Sequence, residues 1–570
     1  MNEDFWKDKY PEGIPTEINP DQYPNIQAVL KESCQRFADK PAFTNLGKTL
    51  TYGDLYRMSG DFAAWIQNYT ELQPGDRIAV QLPNLLQYPV VVFGAIRAGL
   101  VVVNTNPLYT TREMEHQFND SGAKALVCLA NMGHLAEAVV PKTDIKTVII
   151  TEVADFLPPL KRFVINSVVK YVKKMVPAFH IPNSLKLNDI LAKGSKKAAR
   201  NVNPDANDLA VLQYTGGTTG VAKGAMLTHR NLIANMLQAQ AMMASNLGRG
   251  TETIVAPLPL YHIYAFTFHC MAMMMTGNNN LLITNPRDLP SMLKDLKNNP
   301  FTGFVGLNTL FVALCNNEEF RKLDFSKLKM TISGGMALQI SAAERWTQVT
   351  GASICEGFGM TETSPIATVN PIQKIQLGTI GIPVASTLCK VIDDEGNELA
   401  LGETGELCVK GPQVMKGYWL REDATKEVMD DEGWLRTGDI AIIQEDGYIR
   451  IVDRKKDMIL VSGFNVYPNE IEDVLASLPA VLQSAAVGVP SEKTGEAIKV
   501  FITVRPGQSL SKEEVIAHMR SNLTSYKVAH FVEFRDELPT TNVGKILRRA
   551  LRDEERNKVQ QAKEAQATPA

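Results

Sequence analysis

The sequence predicts an α/β protein with a large N-terminal domain over residues 1–453, a small α+β domain over 454–556 and a frayed tail over 557–570. Three observations lead to this prediction. The chain has 570 residues, which exceeds what one hydrophobic core supports. Strand-like and helix-like segments alternate along the first part of the chain, and the pattern changes near residue 376 and again near residue 453. We therefore expect layered βαβ subdomains, then a β-rich subdomain, then a compact module.

Apolar runs rich in β-branched residues mark the strands of the large domain. The segments between them, such as 110–122, are predicted to be helices. Because strand and helix signals alternate, we expect βαβ units and mainly parallel sheets. The predicted strands cover residues 77–82, 100–104, 125–129, 147–151, 281–285 and 329–335.

Closely spaced turn signals begin near residue 376 and enclose short strands at 406–410 and 448–453, which predicts the β-rich subdomain. After Asp453 the predicted order is helix, two strands, helix and strand, over residues 468–478, 485–489, 498–504, 511–523 and 530–534. These elements make a compact α+β module. The last residues are rich in Gln, Ala and charged side chains, and we expect them to fray.

The composition is that of an ordinary globular protein, with 45% hydrophobic and 21% charged residues and a net charge of −3. This balance argues against a nucleic-acid binder. The seven cysteines form no CxxC pair, which argues against a disulfide framework and a thiolate zinc site and indicates a reducing compartment. There is no secretory signal pattern and no apolar run near 20 residues, so we expect a cytoplasmic protein.

One basic segment, residues 160–176, stands apart because it has five Lys or Arg residues and no acid. As a helix it would separate cations from an apolar face. A basic amphipathic helix can bind an anionic membrane surface, which here would be the inner face of the cell membrane. The alternative is a surface helix docked on its own protein. The cations are Lys170, Lys173 and Lys174, and the apolar face is Val164, Val168, Tyr171 and Met175.

The segment Tyr214–Gly224 has the composition of a loop that binds polyphosphate, with four glycines, three threonines and one lysine. Glycines let backbone N–H groups approach phosphate oxygens, and Lys223 adds a positive charge. It is not a Walker A loop, because Ala222 precedes the lysine and Gly224 follows it. A flexible surface turn, the bland alternative, would not need three hydroxyls and a lysine.

The segment YTGGTTGVAKG resembles the phosphate loop of the adenylate-forming superfamily, which includes acyl- and aryl-CoA ligases, peptide-synthetase adenylation domains and firefly-type luciferases. Further matches follow in the family's order. The block from Gly433 to Pro468, with NPLYT at 106–110, is closest to bacterial long-chain fatty-acid–CoA ligases. The matches are PLYHIYAF (259–266), SGGM (333–336), EGFGMTET (356–363), GELCVKGPQVMKGYW (405–419), GWLRTGD (433–439), IVDRKKDMILVSGFNVYP (451–468) and PTTNVGKILRR (539–549).

The resemblance implies a distorted β-barrel as the β-rich subdomain and a small domain that moves. It also implies a two-step reaction, in which a carboxylic acid reacts with MgATP to give acyl-AMP, and CoA then displaces AMP. For a long-chain member the product would feed fatty-acid degradation by beta-oxidation.

The resemblance also implies an ATP site. Glu362 is implied as the magnesium ligand, with Thr215 and Thr361 adding hydroxyls, and Asp439 with Arg454 as the ribose contacts. The other nucleotide contacts implied are Tyr214, Gly216, Gly217, Thr218, Thr219, Gly220, Lys223, Gly224, Gly334, Gly335, Glu356, Gly357, Phe358 and Gly359.

Two further sets of residues are implied on the acyl and CoA side. Lys545 would bind the reacting carboxylate and the α-phosphate, and Lys456 would be the hinge that lets the small domain withdraw it. The residues implied at the acyl tunnel and the CoA channel are His262, Phe266, Phe304, Gly306 and Gly463.

Several alternatives are weighed against a fatty-acid–CoA ligase. The acid could be medium-chain or aromatic, or the acyl group could pass to a carrier protein or a luciferase-like oxidation. A non-catalytic lipid or nucleotide sensor would be expected to have lost Glu362, Asp439 or Lys545, and all three are present. A Rossmann oxidoreductase is disfavoured because the loop lacks G-x-G-x-x-G order. Chain-length preference and oligomeric state, a homodimer included, are left open.

Overall fold

The computed structural model describes residues 3–215, 222–244, 246–462, 464–491, 494–541 and 545–567. Its strands are β1 Pro41–Asn45, β2 Lys48–Thr51, β3 Arg77–Gln81, β4 Val101–Asn104, β5 Ala123–Leu129, β6 Thr147–Thr151, β7 Leu185–Lys186, β8 Leu209–Thr215, β9 Lys223–Thr228, β10 Thr253–Ala256, β11 Asn279–Leu282, β12 Gly303–Gly306, β13 Met330–Gly334, β14 Ile354–Gly359, β15 Ile366–Val369, β16 Ile382–Pro383, β17 Leu388–Ile392, β18 Thr404–Lys410, β19 Leu435–Ile443, β20 Ile449–Arg454, β21 Ile459–Val461, β22 Phe464–Val466, β23 Val481–Ser491, β24 Gly495–Val504 and β25 Phe531–Phe534.

The α-helices are α1 Glu3–Lys7, α2 Ile26–Arg36, α3 Tyr52–Tyr69, α4 Gln87–Arg97, α5 Thr111–Ser121, α6 Gly133–Val139, α7 Pro159–Ser167, α8 Leu187–Gly194, α9 His229–Met243, α10 Ile263–Ala265, α11 Met273–Thr276, α12 Leu289–Asn298, α13 Asn308–Asn316, α14 Glu318–Arg321, α15 Ile340–Thr350, α16 Glu422–Val428, α17 Pro468–Ala476, α18 Lys512–Asn522 and α19 Arg548–Ala567. Two π-helical turns cover Val168–Val172 and Phe266–Ala272.

Within the described residues, two large sheets make up most of the N-terminal part of the chain. One has the strand order β7-β6-β5-β3-β4-β8-β9 and is parallel up to the β8–β9 pair. The other has the order β16-β15-β14-β13-β12-β10-β11-β1-β2, with antiparallel pairs at both edges. The prediction of mainly parallel sheets built from βαβ units is therefore confirmed.

The carboxyl ends of three strands bring together residues far apart in the sequence. Thr215 ends β8 in one large sheet, and Gly334 and Gly359 end the neighbouring strands β13 and β14 in the other. Open α/β sheets bind ligands beyond the carboxyl ends of their strands. The fold therefore predicts a site between the two sheets, where the resemblance already implied ATP.

The β-rich part after residue 376 contains the antiparallel sheet β17-β18-β19-β20. Its apolar face packs with Trp6 from the start of the chain, in a cluster that includes Val391, Leu407 and Ile443. The first residues of the chain are thus part of the core of the β-rich sheet rather than a separate arm.

The C-terminal part has the strand order β22-β21-β24-β23, with β25 parallel to β24. All five elements predicted for it are present, and side chains such as Ile471, Ile498 and Met519 form its core. The tail differs from expectation, because α19 continues to Ala567. Its Gln, Ala, Glu and Lys residues have high helix propensity and extend the helix that Arg548 begins.

The start of α19 holds the chain where it passes from β20 into the C-terminal part. Arg548 forms ion pairs with Asp453 at 3.3 Å and Glu472 at 2.6 Å, and Arg552 forms one with Asp457 at 2.7 Å. Asp453 is fully buried, and burial raises the pKa of its carboxyl to about 6 even though the charge of Arg548 acts against the rise. Buried carboxylates need such partners, so this cluster fixes the geometry of the crossing.

Candidate active site

One cavity of about 1070 Å³ lies between the two large sheets, the β-rich sheet and the C-terminal part. It collects residues from the phosphate loop and from all seven of the further sequence motifs. The predicted site residues that line it are Tyr214, Thr215, Lys223, His262, Gly334, Gly335, Gly357, Phe358, Gly359, Thr361, Glu362, Arg454, Lys456 and Lys545.

The stem of the phosphate loop is an antiparallel hairpin in which Tyr214 pairs with Gly224 and Thr215 pairs with Lys223. The predicted contacts Gly216, Gly217, Thr218, Thr219 and Gly220 lie outside the described residues. A Cβ atom at position 224 would come within 3.1 Å of the Tyr214 ring, which explains the glycine there. The stem aims Lys223 and Thr215 into the cavity.

A second segment, Met415–Arg421, clamps this stem and is called the clamp segment below. The N–H of Trp419 donates to the Gly224 carbonyl at 2.8 Å. Asp120 on α5 joins both sides, since its carboxylate accepts the Tyr214 hydroxyl at 2.6 Å and pairs with Arg421 at 2.8 Å. The hairpin therefore has a fixed position relative to the clamp segment.

The same segment holds Glu362, the predicted magnesium ligand. The Tyr418 hydroxyl donates to Glu362 Oε1 at 2.6 Å, and the Met415 N–H donates to the Glu362 carbonyl at 2.8 Å. The Lys223 ammonium lies 5.1 Å from the centre of the Tyr418 ring. Burial raises the pKa of Tyr418, and the negative charge of Glu362 raises it further, so the phenol remains a donor.

Tyr418 was missed by the sequence analysis, although it belongs to a motif that was recognised. A carboxylate or lysine in a motif suggests chemistry directly, whereas a tyrosine before a tryptophan suggests packing. Its importance depends on a contact with Glu362, which is 56 residues away in sequence. No local sequence pattern indicates a contact between residues so far apart in the chain.

The donor set around Glu362 fits a magnesium ion that is brought in with a nucleotide. No group of three or more His, Cys, Asp or Glu side chains suited to a metal occurs among the residues the structure describes. Mg²⁺ in nucleotide-dependent enzymes takes one or two carboxylates and fills its other positions with phosphate oxygens and water. Glu362, with Thr215 lining the same cavity, is a set of this kind.

The far wall of the cavity is formed by the ends of β13 and β14, where Gly334 pairs with Gly357. A Cβ atom at position 359 would lie 1.9 Å from the Pro365 carbonyl oxygen, so only glycine fits there. Glu356 is buried behind this wall and accepts the Leu338 N–H at 3.0 Å. Burial raises its pKa to about 8, with a further contribution from the charge of Asp473. It braces the wall and does not line the cavity.

The predicted ribose contacts are cross-strand partners on β19 and β20. Arg454 Nε lies 3.2 Å from Asp439 Oδ1. Asp439 is buried, which raises its pKa, while the positive charges of Arg454, Lys545 and Lys456 act in the opposite direction. The three cations favour the charged form of this carboxylate, whereas burial opposes it. Asp439 itself is not among the residues that line the cavity.

Lys545 reaches the cavity from a short loop of the C-terminal part. Its N–H donates to Thr541 Oγ1 at 3.0 Å, and its Cε would lie 4.0 Å from a Cβ atom at Gly335. Burial and then the charge of Arg454 lower the pKa of Lys545 to about 8. The structure thus places the one predicted catalytic group of the small domain inside the large domain's cavity.

His262 and Lys456 lie near this lysine. Burial, and then the positive charge of Lys545, lower the pKa of His262 to about 4, so the imidazole is neutral. Its Nδ1 accepts the Tyr264 N–H at 3.3 Å, which caps α10. Burial and the charge of Arg454 lower the pKa of Lys456, which lines the cavity just after Arg454.

The predicted acyl-tunnel residues are placed differently. Phe266 is fully buried at the start of a π-helical turn and does not line the cavity. Phe304 packs against Trp346, with ring centres 5.3 Å apart, and a Cβ atom at Gly306 would lie 2.8 Å from the Phe311 ring. Gly463 lies outside the described part of the chain. The apolar end of the cavity is instead lined by Ala239, Met242, Met243, Phe268, Ile366, Val369 and Val384.

Comparison with known proteins agrees with this arrangement. The profile of the family described as AMP-binding enzyme matches residues 30–419, more than half of the chain. This chain belongs to the AMP-binding enzyme family. The profile of the AMP-binding enzyme C-terminal domain matches residues 470–545, which end on Lys545. The resemblance to the adenylate-forming superfamily is thereby confirmed.

Relatives in the AMP-binding enzyme family match over nearly the whole chain. A long-chain-fatty-acid–CoA ligase of Escherichia coli O6:H1 is 54% identical over 97% of this chain and 99% of its own length. A feruloyl-CoA synthase of an Amycolatopsis species is 32% identical over 89% of this chain and 94% of its own. Among solved structures, ATP-bound MatB from Rhodopseudomonas palustris is 27% identical, with a TM-score of 0.76 over 93% of this chain and 99% of its own.

Proposed function

We propose that this protein is an ATP-dependent long-chain fatty-acid–CoA ligase that uses Mg²⁺. The observation on which the proposal rests most is the position of Lys545, which lines one cavity with Arg454 and Glu362. The charge of Lys545 also acts on Asp439, the buried partner of Arg454. The identity of 54% to a long-chain-fatty-acid–CoA ligase supports the choice of acid.

In the first step a carboxylate oxygen attacks the α-phosphorus of ATP, and the bond to the pyrophosphate leaving group breaks. Lys545 neutralises charge on the carboxylate and on the α-phosphate as it develops. Asp439 holds the ribose hydroxyls, and Lys223 and Thr215 bind the leaving pyrophosphate. A Mg²⁺ ion held by Glu362 would neutralise phosphate charge.

In the second step the CoA thiol attacks the acyl carbonyl carbon, and the carbon–oxygen bond to AMP breaks. Lys545 lines the cavity in this arrangement and would lie beside the reacting carboxyl group, so the thiol needs another route to the carbonyl. We infer that the small domain turns about Lys456 and withdraws Lys545 between the steps. The rotation leaves the Arg454–Asp439 contact intact, because both residues precede the hinge. It must break the Arg548–Asp453 ion pair, which joins the two sides of the hinge in this arrangement.

A pyrophosphate-release assay over acids of increasing length, with and without CoA, tests the proposal. We expect the highest kcat/KM with long unbranched acids and one acyl-CoA for each pyrophosphate when CoA is present. A preference for aromatic or medium-chain acids would favour the alternative ligases. Pyrophosphate release without acyl-CoA would favour a carrier protein as acceptor, and no release with any acid would favour a sensor.

We also propose that residues 160–176 bind the inner face of the cell membrane and that the protein is otherwise cytoplasmic. Side chains of α7 and the following π-helical turn face solvent: Leu160 is 77% exposed, Phe163 71%, Tyr171 69% and Val172 73%. The segment also has five cations and no acid. Apolar side chains beside Lys and Arg suit the boundary of an anionic bilayer.

Sedimentation with vesicles of phosphatidylglycerol and phosphatidylethanolamine tests this docking. Phe163→Ser should reduce binding several-fold, whereas Leu377→Ser, which removes an exposed apolar group elsewhere, should not. High salt should weaken binding because the cationic contribution is screened. Equal binding by both variants would contradict the proposal.

Among the described helices, none combines the length and apolar character needed to cross a bilayer.

A further inference from the structure

A set of apolar residues that line the cavity comes from α9, the π-helical turn and the segment 366–384, and we call the part of the cavity that they line the arm. Helix α9 contributes Ala239, Met242 and Met243, the π-helical turn contributes Phe268, and the strands opposite contribute the rest of the lining. These side chains are buried or half-buried. These side chains are all apolar, so a polar group on the far part of the acid would find no partner in the arm. The arm therefore suits an unbranched hydrocarbon chain.

Two buried amides on α9 hold the helix against the segments opposite it. The Asn235 side chain donates to the Ile366 carbonyl at 2.8 Å and accepts the Ile366 N–H at 3.0 Å. Gln238 donates to the Ala385 carbonyl at 2.8 Å. Both amides are fully buried. Because buried amides are costly to unpair, α9 cannot easily move away from β15.

Met242 lines the arm and is backed by residues from the start of the chain. Its side chain packs in one cluster with Val384 and with Ile14 from the start of the chain. The segment around Ile14 is held in place, since the Tyr10 hydroxyl donates to the Pro383 carbonyl at 2.9 Å and the Ser386 N–H donates to the Thr16 carbonyl at 2.8 Å. A ligand that reaches Met242 therefore meets a second supported layer behind it.

We propose that Met242, backed by Ile14, is the residue that limits the length of the acyl chain. This inference rests on the proposed ligase function. Each methylene buried in the arm should raise kcat/KM about fourfold until the chain reaches Met242. Methionine is unbranched and flexible, so it can yield to chains of slightly different length.

The test compares kcat/KM for saturated acids of 8 to 18 carbons in the pyrophosphate-release assay. Met242→Trp fills the arm, and the ratio of kcat/KM for the 16-carbon acid to that for the 8-carbon acid should fall at least tenfold. The matched control is Ala244→Trp, which adds the same side chain at an exposed position just after α9. It should leave the ratio unchanged.

Met242→Ala provides a second test that does not depend on overpacking. It lengthens the arm, so the preferred chain length should increase by about two carbons. An unchanged ratio in both Met242 variants, or an equal loss at every chain length, would overturn the inference. If the unmodified protein activates no fatty acid at all, the proposed function fails instead, so the two failures are distinguishable.

Discussion

The hydroxyl of Tyr418 lies 2.6 Å from Glu362 Oε1, and the ring of the same tyrosine faces the Lys223 ammonium at 5.1 Å. One side chain therefore positions both the carboxylate proposed to bind Mg²⁺ and the lysine proposed to bind pyrophosphate. Tyr418 is a positioning residue, since it acts through Glu362 and Lys223. The adenylation half of the site thus depends on the clamp segment as well as on the phosphate loop.

Tyr418→Phe should raise the Mg²⁺ concentration needed for half-maximal adenylation about tenfold, because a hydrogen bond to a charged group contributes about 1.5–3 kcal/mol. Calorimetry should show weaker binding of MgATP and little change for ATP with EDTA. The control is Tyr448→Phe, which removes another buried tyrosine hydroxyl. That hydroxyl donates a hydrogen bond to the Lys374 backbone carbonyl. Equal changes in both variants would indicate a general packing effect.

Lys545→Ala should lower adenylation by at least about a hundredfold, since it removes the cation that stabilises charge in the transition state. Thioester formation from supplied acyl-AMP should change by less than about threefold, because Lys545 is withdrawn in that step. Single-turnover assays of the two half-reactions measure the difference. Lys512→Ala, which removes an exposed lysine at the start of α18, is the control. A similar loss in both half-reactions would count against the assigned role.

The rate of adenylation should fall as the pH rises through about 8, which gives its pH profile a basic limb. The pKa of Lys545 is lowered to about 8, so its ammonium is present below that pH and lost above it. The pKa of His262, about 4, keeps the imidazole neutral through the whole range and gives no competing limb there. Thioester formation from acyl-AMP should lack the limb near pH 8. In Lys545→Arg any remaining adenylation should lack it as well, because guanidinium does not titrate.

Arg548→Met should lower the free energy of unfolding of the protein by about 3–5 kcal/mol, because it leaves Asp453 buried without its ion pair. Adding Asp453→Asn should recover part of the loss. Differential scanning calorimetry of the single and double variants measures the coupling. Arg549→Met removes a neighbouring arginine in an exposed pair with Asp553 and should cost less than about 1 kcal/mol. Additive effects of Arg548→Met and Asp453→Asn would show that the pair is not coupled.

The motifs that carry the family resemblance implied many residues that the structure brings to one cavity. Glu362 lies in a short 3₁₀ turn after β14, Arg454 ends β20 and Lys545 lies before α19, and all three line this cavity. The strands of the large sheets were also predictable, because short β-branched runs between predicted helices rarely form anything other than strands. The same reasoning did not extend to the acyl arm.

Met242 could not be found from sequence because a methionine on a buried helix has the same pattern whether it faces a cavity or the core. Tyr418 and Asp120 were missed because their partners are 56 and 94 residues away. Phe304, which the resemblance implied at the acyl tunnel, is packed into the core beside Trp346. Which face of a buried element borders empty space is decided by tertiary packing.

The central claim is that the acid is activated as an acyl-adenylate in this cavity. It is tested most directly with hexadecanoate labelled with ¹⁸O in its carboxylate, ATP, Mg²⁺ and CoA, followed by mass spectrometry of the nucleotide product. Attack of the carboxylate on the α-phosphorus and later cleavage of the acyl carbon–oxygen bond leave one labelled oxygen on AMP. We predict one ¹⁸O atom per AMP formed. Unlabelled AMP, or label in inorganic phosphate or pyrophosphate, would contradict the account.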